Sequence, residues 1–372
     1  METKYNYVKN QIKSNILQGL VQPHQKIGSE NELMKEYDVS RHTIRKAIDD
    51  LANDGWIYKK QGAGTFCADR TVDELPKNRR HKNIAVITTY FSDYIFPTII
   101  RGAESYLSHN GYQVTVFSTN NNIEQERRCL EAVLSQQFDG VIIEPTKSAL
   151  PNPNINYYLN IERIGIPYVM IHAYYEELEP PHVVMDDVEG GRMQTRHLLD
   201  LGHERILGFF KNDDIQGTKR MKGFIKAHRE CGLPLTPQNI VTYTTETMYK
   251  VPTQVLKEKL LEEVNYPTAI VCYNDQIAIQ LLDVLREMNL SVPEDISIVG
   301  YDDSTLSVAS EVKLTTIKHP QESMGVEAAK LITNIIDSKD RSAFEMTVNP
   351  VVFQPELVKR HSTSKENIKE VN

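Results

Sequence analysis

Cysteine is scarce and scattered in this chain. Only Cys67, Cys129, Cys231 and Cys272 occur among 372 residues, and no two have the spacing of a C-x-x-C or other paired motif. That pattern argues against a disulfide framework or a thiolate metal cluster and predicts reduced thiols in a cytoplasmic protein. Long apolar runs are also missing, since no stretch reaches the ~20 residues needed to cross a bilayer. The N-terminus is polar and lacks a signal-peptide apolar region, so export and a membrane partner are not expected. No H-E-x-x-H, Walker loop or G-x-S-x-G is present. "GAG" at 62–64 is not set between a strand and a helix, as a dinucleotide fingerprint requires. We therefore expect no catalytic residues, no metal and no cofactor.

Positive charge is in overall deficit: 42 Lys and Arg face 50 Asp and Glu, a net charge of −8. The deficit is uneven. Residues 1–80 hold 14 Lys and Arg against 11 Asp and Glu, a net +3, and the remainder carries −11. A cationic face placed locally in the first part can hold phosphates while the acidic bulk faces away. The length implies two or three folding units, and a hydrophobic content of 40% is ample for their cores.

What is present begins with "SRHTIRKAIDDL" at 40–51. Ser40 is a natural N-cap. Ile44, Ala47, Ile48 and Leu51 recur at helical spacing and predict a buried stripe. Arg41, His42 and Arg45 fall off that stripe, with Arg41 and Arg45 one turn apart. Taken alone, this is a solvated charged face. Its neighbours change that reading. "GSENEL" places Ser29 and Glu32 in a capping box that opens a helix over 30–37, and "YDVS" turns into the helix at Ser40. Val8, Ile12, Ile16 and Leu20 predict an amphipathic helix ahead of both. "GWIYKKQGAGTFCA" then reads as two strands around a glycine-broken tip, where bare backbone can approach a phosphate closely. Three helices and a hairpin in this order make a winged helix-turn-helix.

Residues 1–70 resemble the DNA-binding domain of the GntR family of bacterial regulators, over "KIGSENELMKEYDVSRHTIRKAIDDLANDGWIYKKQGAGTF". The resemblance implies double-stranded operator DNA as a partner. The DNA-contact candidates are Lys4, Tyr5, Glu30, Ser40, Arg41, His42, Thr43, Arg45, Lys59, Lys60, Gln61 and Gly62. Around residues 69–82, "DRTVDELPKNRRHK" is charged and aperiodic, which suits a linker at 71–82. An extra docked helix is the competing reading.

From Asn83 the pattern alternates strand and helix, beginning with "NIAVITTY" and running through "ISIVGYDD". Repeated βα units imply parallel sheets covered by helices. Their number fits two α/β subdomains over 83–372, with ligand bound in a cleft at the strand carboxyl ends. Polar residues cluster where the strands stop: Tyr90 and Asp93, Glu144, His172, Asn274 and Asp275, then Asp302 and Asp303. Arg220 in "TKRMKGF" is read as opening a helix. Such mixed donors and acceptors suit a polyhydroxylated ligand, and Tyr90 and Phe96 suit stacking on a sugar ring. For any one of them, a cap or surface turn is the competing reading.

This half resembles the effector domain of LacI/GalR regulators, a periplasmic-binding-protein-like fold, through "HLLDLGHERI", "RMKGF", "PTAIVCYNDQIAI", "VPEDISIVGYDD", "LTTIKHP" and "PELVKRHST". The resemblance implies Arg220, Asn274, Asp302 and His319 as sugar ligands and a homodimer assembled through the effector domains. The apolar helix around Ile99–Leu107 is a candidate interface. That family's own helix-turn-helix and hinge helix are absent, replaced by the winged module. The pairing resembles the arabinose-responsive repressors of Gram-positive bacteria, which implies L-arabinose as effector. No residue spacing distinguishes one pentose from another. The alternative is a sugar-processing enzyme with Asp302 and Asp303 as acid and base, although nothing sets a carboxylate pair at a glycosidase separation.

Overall fold

The computed structural model describes residues 3–61, 63–69, 82–262, 266–338 and 349–366. Gly62 and nearly all of the expected linker, through residue 81, lie outside the described residues. The head begins with α1 (Lys4–Leu17), whose Val8, Ile12, Ile16 and Leu17 are buried. Leu17 takes the place expected for Leu20, which is 59% exposed beyond the helix end. A short strand, β1 (Lys26–Gly28), was not foreseen, because three residues carry no readable period. In the capping box that opens α2 (Glu30–Tyr37), Ser29 N donates to Glu32 Oε2 at 2.6 Å. Asp38 ends α2 in the left-handed conformation, and Ser40 caps α3 (Arg41–Asn53), which buries Ile44, Ala47, Ile48 and Leu51. The wing pairs β2 (Ile57–Lys60) with β3 (Gly64–Cys67), and β1 joins the other edge of β3.

The body contains two six-stranded sheets. The first is built from β4 (Asn83–Thr88), β5 (Gln113–Ser118), β6 (Gly140–Ile143), β7 (Tyr168–Ile171) and β8 (His182–Met185), completed by the late strand β14 (Val351–Phe353). The second is built from β9 (Ile206–Lys211), β10 (Ile240–Tyr243), β11 (Ala269–Cys272), β12 (Ser297–Asp302) and β13 (Thr315–Lys318), completed by β15 (Glu356–Val358). All pairings are parallel except that of β15 with β13. The strands are near-continuous apolar runs because both faces of a parallel sheet are covered.

The covering helices are α4 (Phe96–His109), α5 (Ile123–Ser135), α6 (Ile155–Arg163), α7 (Asp187–Asp200), α8 (Ile215–Glu230), α9 (Val251–Leu260), α10 (Asp275–Glu287), α11 (Thr305–Ala309) and α12 (Gln321–Asp337). The chain crosses between subdomains after β8, after β13 and between β14 and β15, so the connection is a three-strand hinge.

Helices α4 and α12 lie in backbone contact. A Cβ added at Gly102 would sit 2.3 Å from the Glu322 carbonyl oxygen, and one at Gly325 would sit 2.0 Å from that of Ile99. This packing takes up the apolar stripe of the helix expected at the interface. Ile99 and Leu107 are buried inside the chain's own core, so that stripe is not available to a second copy. Among the described residues, no helix is long and apolar enough to cross a membrane.

Candidate functional site

Two sites take shape, one on each part. On the head, Arg41, His42 and Arg45 are exposed on α3. Glu30, at the start of α2, bridges the two arginines. Its Oε1 accepts from Arg45 Nε at 2.8 Å, and its Oε2 lies 3.7 Å from Arg41 Nε. The carboxylate raises the Arg45 pKa further. Arg41 also donates to Asn31 Oδ1 at 2.6 Å. Ser40 and Thr43 are occupied with each other and with the start of α3, their oxygens 2.9 Å apart. On the wing, Lys59 pairs with Asp49 of α3, and Lys60 and Gln61 are exposed at the tip. At the start of α1, Lys4 is exposed, but the Tyr5 hydroxyl is bonded to Asp50 and its ring lies under Lys46. Tyr5 therefore helps to seat α1 on α3.

On the body, the carboxyl ends of β4, β6 and β7 face those of β9, β11 and β12. Between them lies a cavity of about 340 Å³. Of the ten expected sugar ligands, nine line it: Tyr90, Asp93, Phe96, Glu144, His172, Arg220, Asn274, Asp302 and His319. Asp275 does not. Its carboxylate is fully buried behind the wall, taking Ser304 N, Ser304 Oγ and Thr316 Oγ1 at 2.7–2.9 Å. Burial, with the charge of Asp302 nearby, raises it to about 7. A carboxylate that follows a strand end can point into the cleft or back into the sheet, and the sequence does not separate the two.

Several lining groups are held by partners. Glu144 accepts from Thr89 N and Oγ1, both at 2.7 Å, and its other oxygen lies 2.8 Å from His172 Nδ1. Arg220 sits in the body of α8, a turn and a half in, and not at its start. It donates to Asp187 Oδ1 at 2.8 Å and to the Tyr273 carbonyl at 2.7 Å, and stacks 3.5 Å over the Tyr301 ring. Burial opposes its charge, but Asp187 and Asp302 outweigh that and raise its pKa. Asp302 accepts from the Tyr94 hydroxyl at 2.7 Å, and burial raises its carboxyl above the usual range. Burial, reinforced by His172 and Arg220, pushes His319 well below the usual imidazole range, so it is neutral. Asn274 spends its Oδ1 capping α10, which leaves its amide nitrogen as the group available to a ligand.

Four buried lining atoms have no hydrogen-bond partner: His172 Nε2, His319 Nδ1, the Tyr243 hydroxyl and Asp302 Oδ1, the last with only the Arg220 guanidinium 3.5 Å away. Buried polar atoms are almost always satisfied, so these atoms are open to hydrogen bonds from a bound polar molecule. Tyr90 and Phe96, with centroids 5.7 Å apart, supply an aromatic wall. Sequence reasoning missed Asn121, Lys211, Asp214, Tyr243 and Tyr249 in the lining. Lys211 and Asp214 end "ILGFFKNDD", and the strand-end rule used for the other residues would have found them. Nothing local marks Tyr249.

Comparison with known proteins follows the same division. The model described as bacterial regulatory proteins, gntR family, matches residues 4–67, and that of a periplasmic binding protein-like domain matches residues 195–363. The arabinose metabolism transcriptional repressor of Halalkalibacterium halodurans is 67% identical, over 98% of this chain and 97% of that protein. This chain belongs to the family of arabinose metabolism transcriptional repressors. The member from Geobacillus stearothermophilus is 46% identical over 97% of both chains. Among solved structures, the transcription regulator CcpA of Lactococcus lactis superposes with a TM-score of 0.66 at 24% identity, covering 76% of this chain and 99% of that one, a likeness of fold. A LacI family regulator from Enterococcus faecium with bound ribose gives a TM-score of 0.63 at 26% identity, covering 77% and 100%. Members of the family are repressors, and the chain is not an enzyme.

Proposed function

We propose that this arabinose-family repressor works in the cytoplasm as a homodimer on a palindromic operator, and that L-arabinose in the cleft releases it. One observation carries the reading. A cationic recognition helix and wing share a chain with a cleft in which His172 Nε2 and His319 Nδ1 are buried without hydrogen-bond partners. One winged module reads too few base pairs for operator-level specificity, which favours a two-fold dimer. Moving a two-state population from 1:99 to 99:1 needs a total preference of about 10⁴, or about 5.5 kcal/mol. Two cleft sites per dimer divide this into about 100-fold each. A few charged hydrogen bonds made in one closure state, at about 1.5–3 kcal/mol each, supply that. An acid–base role for Asp302 and Asp303 has no support, because Asp303 is committed to Arg360 at 2.6 Å and Ser307 at 3.1 Å. The test is a gel-shift titration against L-arabinose and other pentoses, with the sugar recovered and checked for chemical change. Release by arabinose with the sugar intact is expected. Release only by another sugar would refute the effector assignment, and chemical turnover would refute the repressor reading.

A further inference from the structure

The two sites are far apart in sequence, and residues 70–81 between them lie outside the described residues. The structure shows a second connection. The C-terminal end of α1 is seated on α5 and α6 of the body. A helix leaves its last carbonyl oxygens without intrahelical donors. Here another domain supplies the donor: Asn160 Nδ2, buried on α6, donates to the Leu17 carbonyl at 2.7 Å and to that of Ile16 at 3.3 Å. Beside it, the Tyr157 hydroxyl meets Ser14 Oγ and Gln18 Nε2, both at 3.2 Å, and donates to Glu131 at 3.1 Å. Ile16, Leu17 and Tyr157 are all at most 5% exposed, so the contact has an apolar centre as well as a polar rim.

The same surface is tied to the cleft. Asn121 lines the cavity and reaches across it, donating to Thr245 Oγ1 at 2.7 Å, while its Oδ1 accepts from Lys147 N at 2.8 Å. Lys147 pairs across the cleft with Glu246, and Ser148 Oγ accepts from Ile215 N at 3.0 Å. The hydrogen bond from Lys147 lowers Glu246 to about 2. The loop that carries Lys147 and Ser148 continues through Asn152 and Asn154, which hold the buried Glu126 of α5 at 2.9 and 2.8 Å, and then enters α6. Tyr158 of α6 donates to the same carboxylate at 2.9 Å. Separating the two sheets would break the Asn121–Thr245, Lys147–Glu246 and Ser148–Ile215 links, the last two of which lie on the loop leading into the helix that carries Tyr157 and Asn160.

We propose that the α5–α6 face is a docking surface for the chain's own DNA head, engaged when the cleft is closed, and that docking is how bound sugar withdraws the head from the operator. The proposal rests on the sugar-released repressor reading above. In the closed state α1 is clamped and the two heads of a dimer are held at a spacing the operator does not match. In the open state α1 is freed and the heads adjust to the DNA.

Two sets of variants test it, each measured for operator affinity with and without L-arabinose and for sugar affinity by calorimetry. Asn160→Ala with Tyr157→Phe weakens docking. We expect operator binding in the absence of sugar to be at least as tight as in the parent, and the sugar-induced loss of affinity to shrink by about tenfold or more. Linkage requires sugar affinity to fall along with the response, and an unchanged circular dichroism spectrum and Tm would show that the body is folded. Gln18→Cys joined to Tyr157→Cys by a short reducible bis-maleimide, in a Cys231→Ser background, locks the head down. That protein should bind operator poorly even without sugar and recover on reduction. Undocked variants with the parent's full response, or a locked protein that binds operator as the parent does, would overturn the proposal alone. A parent that binds operator but does not respond to arabinose would overturn both this and the reading it rests on.

Discussion

Arg45 and His319 illustrate what single residues contribute. Arg45 lies one turn from Arg41, and Glu30 orients both. An exposed arginine is able to read guanine bidentately. Arg45→Ala should therefore lower specific operator affinity by at least about tenfold while sugar binding persists, which gel shift and calorimetry on one preparation would check. In the cleft, Arg220→Ala is a poor probe, since it strands Asp187 and Asp302 in the interior at a cost of about 3–5 kcal/mol. His319→Ala is cleaner, because its Nδ1 has no protein partner to lose. It should weaken L-arabinose binding by about tenfold and leave operator affinity intact. Since burial holds His319 neutral, its share of sugar affinity should stay constant between pH 8 and 6. Asp275 shows where residue-level reading stops, because its neighbour Asn274 faces the cavity and it does not.

At the scale of elements, the local signals held. The Ser29–Glu32 capping box opens α2, and Ser40 caps α3, because hydroxyls accept from the free amides of a first turn wherever the chain folds. The βα alternation was legible for the same reason: a strand covered on both faces must be apolar along its length. Strand β1 was not legible, and Leu20 was misplaced by one turn, since helix ends are set by capping geometry. The wing is the element whose role is open to test. Lys59 and Lys60 precede its tip, and replacing both with alanine should reduce the salt dependence of operator binding by about one unit in the log–log slope. An unchanged slope would make the tip a solvated turn.

For the whole molecule, assembly and acid stability are the measurable properties. Light scattering at micromolar concentration should give a dimer, with two chains per operator. A monomer bound one per operator would refute the assembly. The C-terminal segment is pinned by His197, 3.0 Å from Thr363 Oγ1, and by His203, 3.0 Å from the Ser364 carbonyl oxygen. Burial pushes His197 down to about 4 and lowers His203. The unfolded chain takes up a proton near pH 6.5, where the folded chain does not. Stability is therefore lost as pH falls through the window from about 6.5 toward 4, by on the order of 1 kcal/mol for the partly exposed His197. Asp275, raised to about 7, acts with the opposite sign throughout this window. Comparing His197→Gln with the parent cancels that term, and the variant should lose less Tm between pH 7 and 5.

By itself the amino-acid sequence determined the winged head, the two-sheet body and nine of the residues that line the cleft. These follow from periodicity, caps and strand ends, which are properties of neighbours along the chain. The tertiary structure alone decided which carboxylates face the cavity, because pairing with Ser304 and Thr316 turns Asp275 inward while Asp302 remains in the cleft. It also decided that Ile99 and Leu107 are core, through the close crossing of α4 and α12. Finally, it placed Asn160 against the end of α1, a contact between residues more than 140 positions apart. No local pattern encodes such a contact, since a helix end presents the same carbonyl oxygens whether water, a loop or another domain supplies the donor.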